Sequence, residues 1–231
     1  MKHQINKNDV IWGYLSQILN MASSLLLLPF ILYFLDQENV GVWYVFITII
    51  GLIQLLEFGF TNNLSLYLLF YAGAEHISDK NLPSYNKAGV VNIRLLSDII
   101  AASRKIYLFV SIISLTIISS AGVFYLSTLN YSGSHSYLYI SWLIYGFATV
   151  IIFYFGYYNA LLKGRGDQTQ LNKVIVFSKL TNVVCTIPLL YFGFGILSIS
   201  IGMLCSVIVD RILVRKSVFM IKQPKQLRLL N

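Results

Sequence analysis

The feature that most constrains the fold is a series of long apolar runs separated by short polar segments. Each run is long enough to cross the hydrocarbon core of a bilayer, which takes about 20 helical residues. Charged residues make up only 11% of the chain, against about 25% in a typical soluble domain. We therefore predict an all-α integral membrane protein in which residues 1–231 form a single transmembrane unit. Its six transmembrane helices would occupy residues of about 10–35, 40–72, 106–126, 137–162, 174–192 and 196–214.

Basic residues are distributed unevenly among the segments that join these runs. Seventeen Lys and Arg residues give the chain a net charge of +8, and all except Lys179 and Arg211 lie in the termini and in alternate loops. Those segments include the hydrophilic loop 74–104, where an amphipathic helix is predicted from about Lys87, and the basic tail 215–231. By the positive-inside rule, both termini are predicted to be cytoplasmic. Because the positive charge belongs to these loops, it does not indicate a nucleic-acid partner.

Polar side chains recur at helical spacing in three of the apolar runs. At about 100° per residue, each set forms one narrow face of a helix, and polar side chains inside a bilayer face a cavity or a partner. We therefore predict that the three faces converge on a hydrated interior. An amine beside amides and hydroxyls suits a ligand with anionic and hydroxyl groups, such as a sugar phosphate. The predicted pathway residues are Gln17 and Asn20 in the first run, Gln54, Glu57 and Thr61 in the second, and Lys179 and Asn182 in the fifth.

Four ionisable side chains fall inside apolar runs, and each has more than one interpretation. Lys179 either faces the predicted cavity or extends its amine to the membrane interface. Asp210 and Arg211 are expected at the interface in the last turn of the sixth helix, although Asp210 could pair with Lys179. Glu57 is either a cavity residue or a hydrogen-bond partner at a kink, since the second helix is expected to continue past Gly59 with a bend there.

No residue pattern indicates catalysis or a bound cofactor. The histidines His3, His76 and His135 lie in separate loops and form no metal-ligand cluster. Cys185 and Cys205 fall inside apolar runs, as core thiols commonly do. No nucleophile stands at a spacing that pairs it with a base, so we predict a protein that is not an enzyme and that uses neither a metal nor a cofactor.

Several segments carry a resemblance to a known family. The second run contains an acidic residue followed by a small glycine motif, E-F-G-F at 57–60, and the loop after the fourth run contains Y-N-A-L-L-K-G-R-G-D at 158–167. The chain resembles the first half of bacterial O-antigen and exopolysaccharide flippases, which belong to the superfamily of multidrug, oligosaccharidyl-lipid and polysaccharide exporters. That family often has Asp where this chain has Glu57. The other matching segments are W-G-Y-L-S-Q-I-L-N (12–20), L-L-P-F-I-L-Y-F-L (27–35), V-G-V-W-Y-V-F (40–46), L-E-F-G-F-T-N (56–62) and Y-A-G-A (71–74).

The resemblance implies a carrier of undecaprenyl-linked oligosaccharide in the bacterial inner membrane, which works by alternating access between two six-helix lobes. This chain would supply the first lobe, with the second from a separate chain or a homodimer, or as a truncated form of a longer protein.

In that case Lys179 would attract the lipid diphosphate, and Glu57 would bind a coupling cation or balance that charge. The predicted amide side chains would hydrogen-bond the polar head group, while the substrate's tail stays among the membrane lipids. Two other functions remain open: a multidrug/cation antiporter of the same superfamily, and a membrane fragment or assembly subunit that transports nothing.

Overall fold

A computed structural model describes residues 7–57, 60, 63–64, 93–164 and 167–220 of the chain. All the secondary-structure elements in the described ranges are helices. The helices are α1 (Lys7–Phe34), α2 (Gln37–Gln54), α3 (Ile93–Ile117), α4 (Val123–Thr128), α5 (His135–Tyr154), α6 (Gly156–Gly164), α7 (Gln168–Tyr191) and α8 (Ile196–Met220). A 3-10 turn, Leu55–Glu57, follows α2, and a π-helical turn, Ile118–Gly122, joins α3 to α4.

Five stretches of helix in the described part of the chain are long and apolar enough to cross a membrane. Their outward-facing side chains include many exposed large apolar residues, as a surface in contact with lipid requires. The prediction of an all-helical, multi-pass membrane protein is confirmed at this level. The five stretches are Lys7–Phe34, Ser97–Thr128, His135–Gly164, Gln168–Tyr191 and Ile196–Val218.

The second predicted span begins earlier than expected, and its predicted end near residue 72 lies outside the described residues. α2 begins at Gln37, where the Asp36 side chain caps the helix by accepting a hydrogen bond of 2.7 Å from the backbone N–H of Asn39. The polar residues of this first turn dilute the apolar character of α2, so α2 is not among the five stretches. The chain leaves α-helical geometry at Leu55, before the bend expected at Gly59, which lies outside the described residues. Six spans therefore stay a prediction.

Three other spans have bounds that differ from those predicted. The amphipathic helix expected before the third span is continuous with it, since α3 runs without a break from Ile93. The fourth span is broken at Phe155 into α5 and α6 instead of forming one helix. The sixth does not end near Val214, because α8 continues to Met220 and Val214 packs, fully buried, in a small core cluster with Leu162.

The short connections show how the helices are directed. Asn39, at the start of α2, accepts a hydrogen bond of 2.8 Å from the Tyr131 hydroxyl in the loop before α5. At the same end of the bundle, the rings of Phe34 and Tyr191 lie 6.2 Å apart, at the last residues of α1 and α7. Thus α1, α3 and α7 run towards this end, and α2, α5 and α8 run away from it.

The two ends of the bundle differ in charge. The acidic end, formed by the connections 35–39, 129–134 and 192–195, contains Asp36 and Glu38 and no Lys or Arg. The opposite, basic end comprises the start of α1, all of α6, the start of α7 and the last turns of α8. Its basic residues include Lys7, Lys163, Lys173, Arg215 and Lys216.

The helices pack in a row, with α7 between α1 and α8, and α5 between α8 and α3. α2 lies against α5 and also touches α1 and α8. Phe46 of α2 and Trp142 of α5 are fully buried at the centre of the main core, with ring centroids 4.9 Å apart. The indole N–H of Trp142 donates a hydrogen bond of 3.0 Å to the carbonyl of Ile118, at the start of the π turn. A Cβ at Gly122 would lie 2.4 Å from the Trp142 ring, so this close approach requires glycine.

Candidate functional site

Polar contacts join α1 and α7 at the basic end of the bundle. The hydroxyl of Thr169 donates a hydrogen bond to the carboxylate of Asp9. Lys173 Nζ lies 5.3 Å from the centroid of the Trp12 ring, a distance at which cation–π attraction operates. Because these side chains come from the first turns of two parallel helices, the contacts fix the register of α1 against α7.

Ser16 and Asn172 continue this line of contacts into the buried part of the interface. Ser16 Oγ lies 3.1 Å from Asn172 Oδ1 and 2.8 Å from the carbonyl oxygen of Gly13. Both side chains are buried, and a buried hydroxyl and amide that bond to each other avoid the cost of burying unpaired polar groups. Neither residue was predicted for the pathway. Ser16 is adjacent to the predicted Gln17. Both residues are polar, but only Ser16 is buried, and the sequence does not show that difference.

Lys179 lies on the same side of α7 as Asn172 and Thr186, because the three are separated by seven residues, or about two helical turns. Asn172 and Thr186 are buried, and Lys179 between them is half-buried. Among the described residues, no carboxylate pairs with Lys179, and it has no hydrogen-bond partner. The predicted Lys179 therefore occupies an inward-facing stripe of α7 with its ammonium group available for a further interaction.

Asn182 lies on the side of α7 that meets α8. A Cβ built on Gly202 of α8 would lie 3.2 Å from the Asn182 carbonyl oxygen and 2.0 Å from Thr186 Oγ1. Glycine at this position therefore allows the two backbones to approach closely. The Asn182 side chain is half-buried, and Thr186 Oγ1 is buried without a hydrogen-bond partner in the described part of the chain.

The two predicted residues of α1 differ in position. Asn20 falls on the packed stripe of α1, four residues after Ser16 and three before Ser23, yet it is exposed while both serines are buried. The packed surface of α1 is thus open at Asn20. Gln17 is also exposed, but it lies about 100° around the helix from Ser16, away from this stripe.

The predicted residues of the second span lie only partly within the described chain. Gln54 is exposed at the end of α2, and Glu57 is half-buried in the 3-10 turn that follows. Thr61 lies outside the described residues. Because α1 and α2 are antiparallel, Asn20 and Gln54 lie about 21 Å and about 26 Å along their helices from the acidic end. The structure therefore puts parts of two predicted faces at a similar level, on adjacent helices, without direct contact between their side chains.

Asp210 and Arg211 form a buried pair that the sequence did not predict. Their side chains are 19% and 14% exposed, and Asp210 Oδ2 lies 3.1 Å from Arg211 Nη2. They stand ten residues or fewer before Met220, well inside α8, so the prediction that they end the sixth helix is wrong. Asp210 also pairs with Arg211, not with Lys179 as considered above. The sequence did contain a signal for this pair, because an acidic and a basic residue stand next to each other in an apolar run.

Tyr131 anchors the loop at the acidic end. Its hydroxyl donates to Asn39, and in the same loop the backbone N–H of Ser132 donates a hydrogen bond of 2.7 Å to Glu38. Burial, together with the carboxylates of Asp36 and Glu38, raises the pKa of Tyr131 above its ordinary value. The phenol is therefore neutral at physiological pH and acts as a hydrogen-bond donor to α2.

A groove of about 600 Å³ lies between α2 and the π turn. Its walls are nearly all apolar, and the hydroxyl of Thr48 is already bonded to the carbonyl of Tyr44 at 2.8 Å. None of the lining side chains carries a charge, so the groove offers no cation to a charged head group. It is lined by Tyr44, Val45, Thr48, Ile49, Leu52, Ile53, Ile117, Ala121, Gly122 and Tyr125.

In the described part of the chain, no group of three or more His, Cys, Asp or Glu side chains is placed so that it could hold a metal ion. Comparison with known proteins identifies no relative: no family model, curated protein or solved structure matches the chain. The polar stripe of α7 and the opening beside Asn20 are therefore the features on which a functional hypothesis must rest.

Proposed function

We propose that the chain is the N-terminal half of a flippase that translocates undecaprenyl-linked oligosaccharide across the bacterial inner membrane by alternating access. The observation that carries this proposal is Lys179, a half-buried ammonium group without a partner among the described residues. It lies between buried polar side chains, Asn172 and Thr186, on the inward stripe of an apolar helix.

A cation in this position needs an anion or water, because an unpaired charge in apolar surroundings is costly. A diphosphate carries the charge and the acceptor oxygens that an ammonium group binds best. Asn20 and Asn182 would supply amide donors and acceptors to the polar head group, and Gln17 and Gln54 would do so from the neighbouring exposed surfaces.

The remaining parts of the proposal come from the resemblance and the charge distribution. α2 and its continuation would form the second predicted span, which brings the five stretches to six. A second lobe would complete the transporter. The basic end would face the cytoplasm and the acidic end the periplasm, as the positive-inside rule requires. Both termini would then be cytoplasmic.

The test is complementation in a bacterial strain that lacks its own O-antigen flippase. Expressed together with a second six-helix lobe, the chain is expected to restore surface polysaccharide, and Lys179→Ala is expected to abolish the restoration. Lys216→Ala removes an exposed cation at the basic end and serves as the matched control, with activity retained. Full activity of both Lys179→Ala and Glu57→Ala would contradict the assigned site, and no restoration by the parent chain would contradict the function.

The same variants separate the rival functions. A multidrug/cation antiporter predicts drug efflux that needs Glu57 and is indifferent to Lys179. A non-transporting subunit predicts that residues on all the polar faces can be replaced without a phenotype.

A further inference from the structure

The break between α5 and α6 has no proline to cause it. The sequence around it, I-F-Y-F-G-Y-Y-N at 152–159, is aromatic with one glycine. At the break, the N–H of Phe155 still donates to Ile151 four residues back, at 3.2 Å, but the N–H of Tyr158 donates to Phe155 only three residues back, at 3.1 Å. The hydrogen-bond pattern thus shifts by one residue, and an uninterrupted helix is an available alternative for these residues. Kinks without proline need an identifiable cause.

Arg211 of α8 supplies a contact at this position. Its Nη1 donates a hydrogen bond of 2.9 Å to the carbonyl of Phe155, the residue at the break. Its Nη2 pairs with Asp210, and Asp210 Oδ1 accepts a hydrogen bond of 3.4 Å from Ser178. One guanidinium group therefore connects the break to α8, and through Asp210 to α7.

A second contact supports the break from the side of α3. A Cβ at Gly156 would lie 2.7 Å from the ring of Tyr107, and the guanidinium of Arg104 lies 5.6 Å from the centroid of the Tyr157 ring. These contacts position α6 against α3.

We propose that Arg211 is a latch that holds the α5–α6 segment bent at Phe155 and couples this joint to α7 and α8. The network is not saturated in the described part of the chain: Arg211 Nε and the side-chain oxygen of Asn159 are buried without hydrogen-bond partners. Unpaired buried polar groups are costly, and a fully satisfied network is the more rigid one. Once Arg211 no longer holds it, the Phe155 carbonyl can exchange the N–H of Tyr158 for that of Asn159, in α-helical register, which joins α5 and α6 into one helix. The latch is a property of the chain whether or not it transports glycan.

The experiment measures the distance between two spin labels on either side of the joint, by pulsed electron paramagnetic resonance of the full chain in nanodiscs. Leu143→Cys and Leu161→Cys, with Cys185 and Cys205 replaced by serine, provide the label sites. The sites are eighteen residues apart, five whole turns, so an unbroken helix would separate them by about 27 Å on one face.

The decisive variant is Asp210→Asn/Arg211→Met, which removes both charges and leaves no orphan charge to prevent folding. The parent is expected to give a distance below about 27 Å, and the double variant a distance that moves to that value. Asp210→Asn alone keeps the arginine–carbonyl bond and is expected to give the parent distance. Lys216→Met, an exposed cation on the same helix, is the control. A parent-like distance in the double variant, or straightening in Asp210→Asn alone, would overturn the proposal.

Discussion

Lys179 and the Asp210–Arg211 pair show two ways in which this chain places charge within apolar helices. Asp210 and Arg211 are tied to each other, to the Phe155 carbonyl and to Ser178. Lys179, on the adjacent helix, has no partner among the described residues. The first arrangement ties α8 to the break at Phe155 and to α7, while the second leaves a half-buried cation without a partner in the described part of the chain. Our proposals rest on this contrast, with a structural role for the paired charges and a binding role for Lys179.

The largest expected effect breaks the paired side of this comparison. Arg211→Met leaves the Asp210 carboxylate buried without its cation and is expected to lower the free energy of unfolding by about 3–5 kcal/mol. Reversible unfolding in a mixed-detergent titration measures the change. Asp210→Asn/Arg211→Met should recover most of the loss, because no unpaired charge remains. A single variant as stable as the parent would show that the pair is solvated and not structural.

A second variant tests how much tight helix packing, independent of charge, contributes to the free energy of unfolding, compared with the Asp210–Arg211 pair. Gly122→Ala places a methyl group 2.4 Å from the Trp142 ring, and overpacking of this kind costs about 1–3 kcal/mol. Gly51→Ala is the matched control, since a Cβ there has no atom within 4 Å. Equal stability of the two variants in the same titration would contradict the close approach of α5 to the π turn.

An intermediate case is the neutral polar pair between α1 and α7. Asn172→Ala removes the acceptor of the Ser16 hydroxyl, which still has the Gly13 carbonyl as a partner. The expected loss in the free energy of unfolding is therefore modest, about 1 kcal/mol. Gln17→Ala, an exposed amide on α1, should change stability by less than about 0.5 kcal/mol. If Asn172→Ala lowered the free energy of unfolding as much as Arg211→Met does, neutral and charged pairs would contribute equally to stability, contrary to this account.

The smallest effect on stability is expected at Lys179. Lys179→Met keeps an unbranched side chain, one atom shorter, and breaks no ion pair or hydrogen bond among the described residues, so the unfolding free energy should change by less than about 0.5 kcal/mol. A small gain is compatible with the proposal, since the variant no longer buries a charge. A loss of about 2 kcal/mol or more would show that Lys179 is a structural residue, and the contrast with Arg211 would fail.

Much of the helical architecture could be predicted because it depends on local properties of the sequence. Long apolar runs can cross a bilayer only as helices in which every backbone group is satisfied, and five such stretches are present among the described residues. The prediction that Lys179 lies on a polar face of its helix also depends only on helical periodicity. At Phe155 the break is in contact with Arg211, fifty-six residues away, and no local pattern records that hydrogen bond.

The extent of α8 could not be predicted for a similar reason. The sequence after Val214 becomes basic, which suggested the end of a span. In the structure the carboxylate and guanidinium form an ion pair within the helix, and α8 continues to Met220. The depth of Glu57 stays a prediction, since most of the second span beyond it lies outside the described residues.

The most direct test of the central claim is binding of undecaprenyl diphosphate to the purified full chain, measured by native mass spectrometry from detergent. The parent should bind this lipid, and Lys179→Gln should weaken the affinity at least about tenfold, because a charge-assisted hydrogen bond contributes about 1.5–3 kcal/mol. Lys216→Gln, which removes an exposed cation at the basic end, should bind as the parent does. Parent-like affinity in Lys179→Gln would contradict the account.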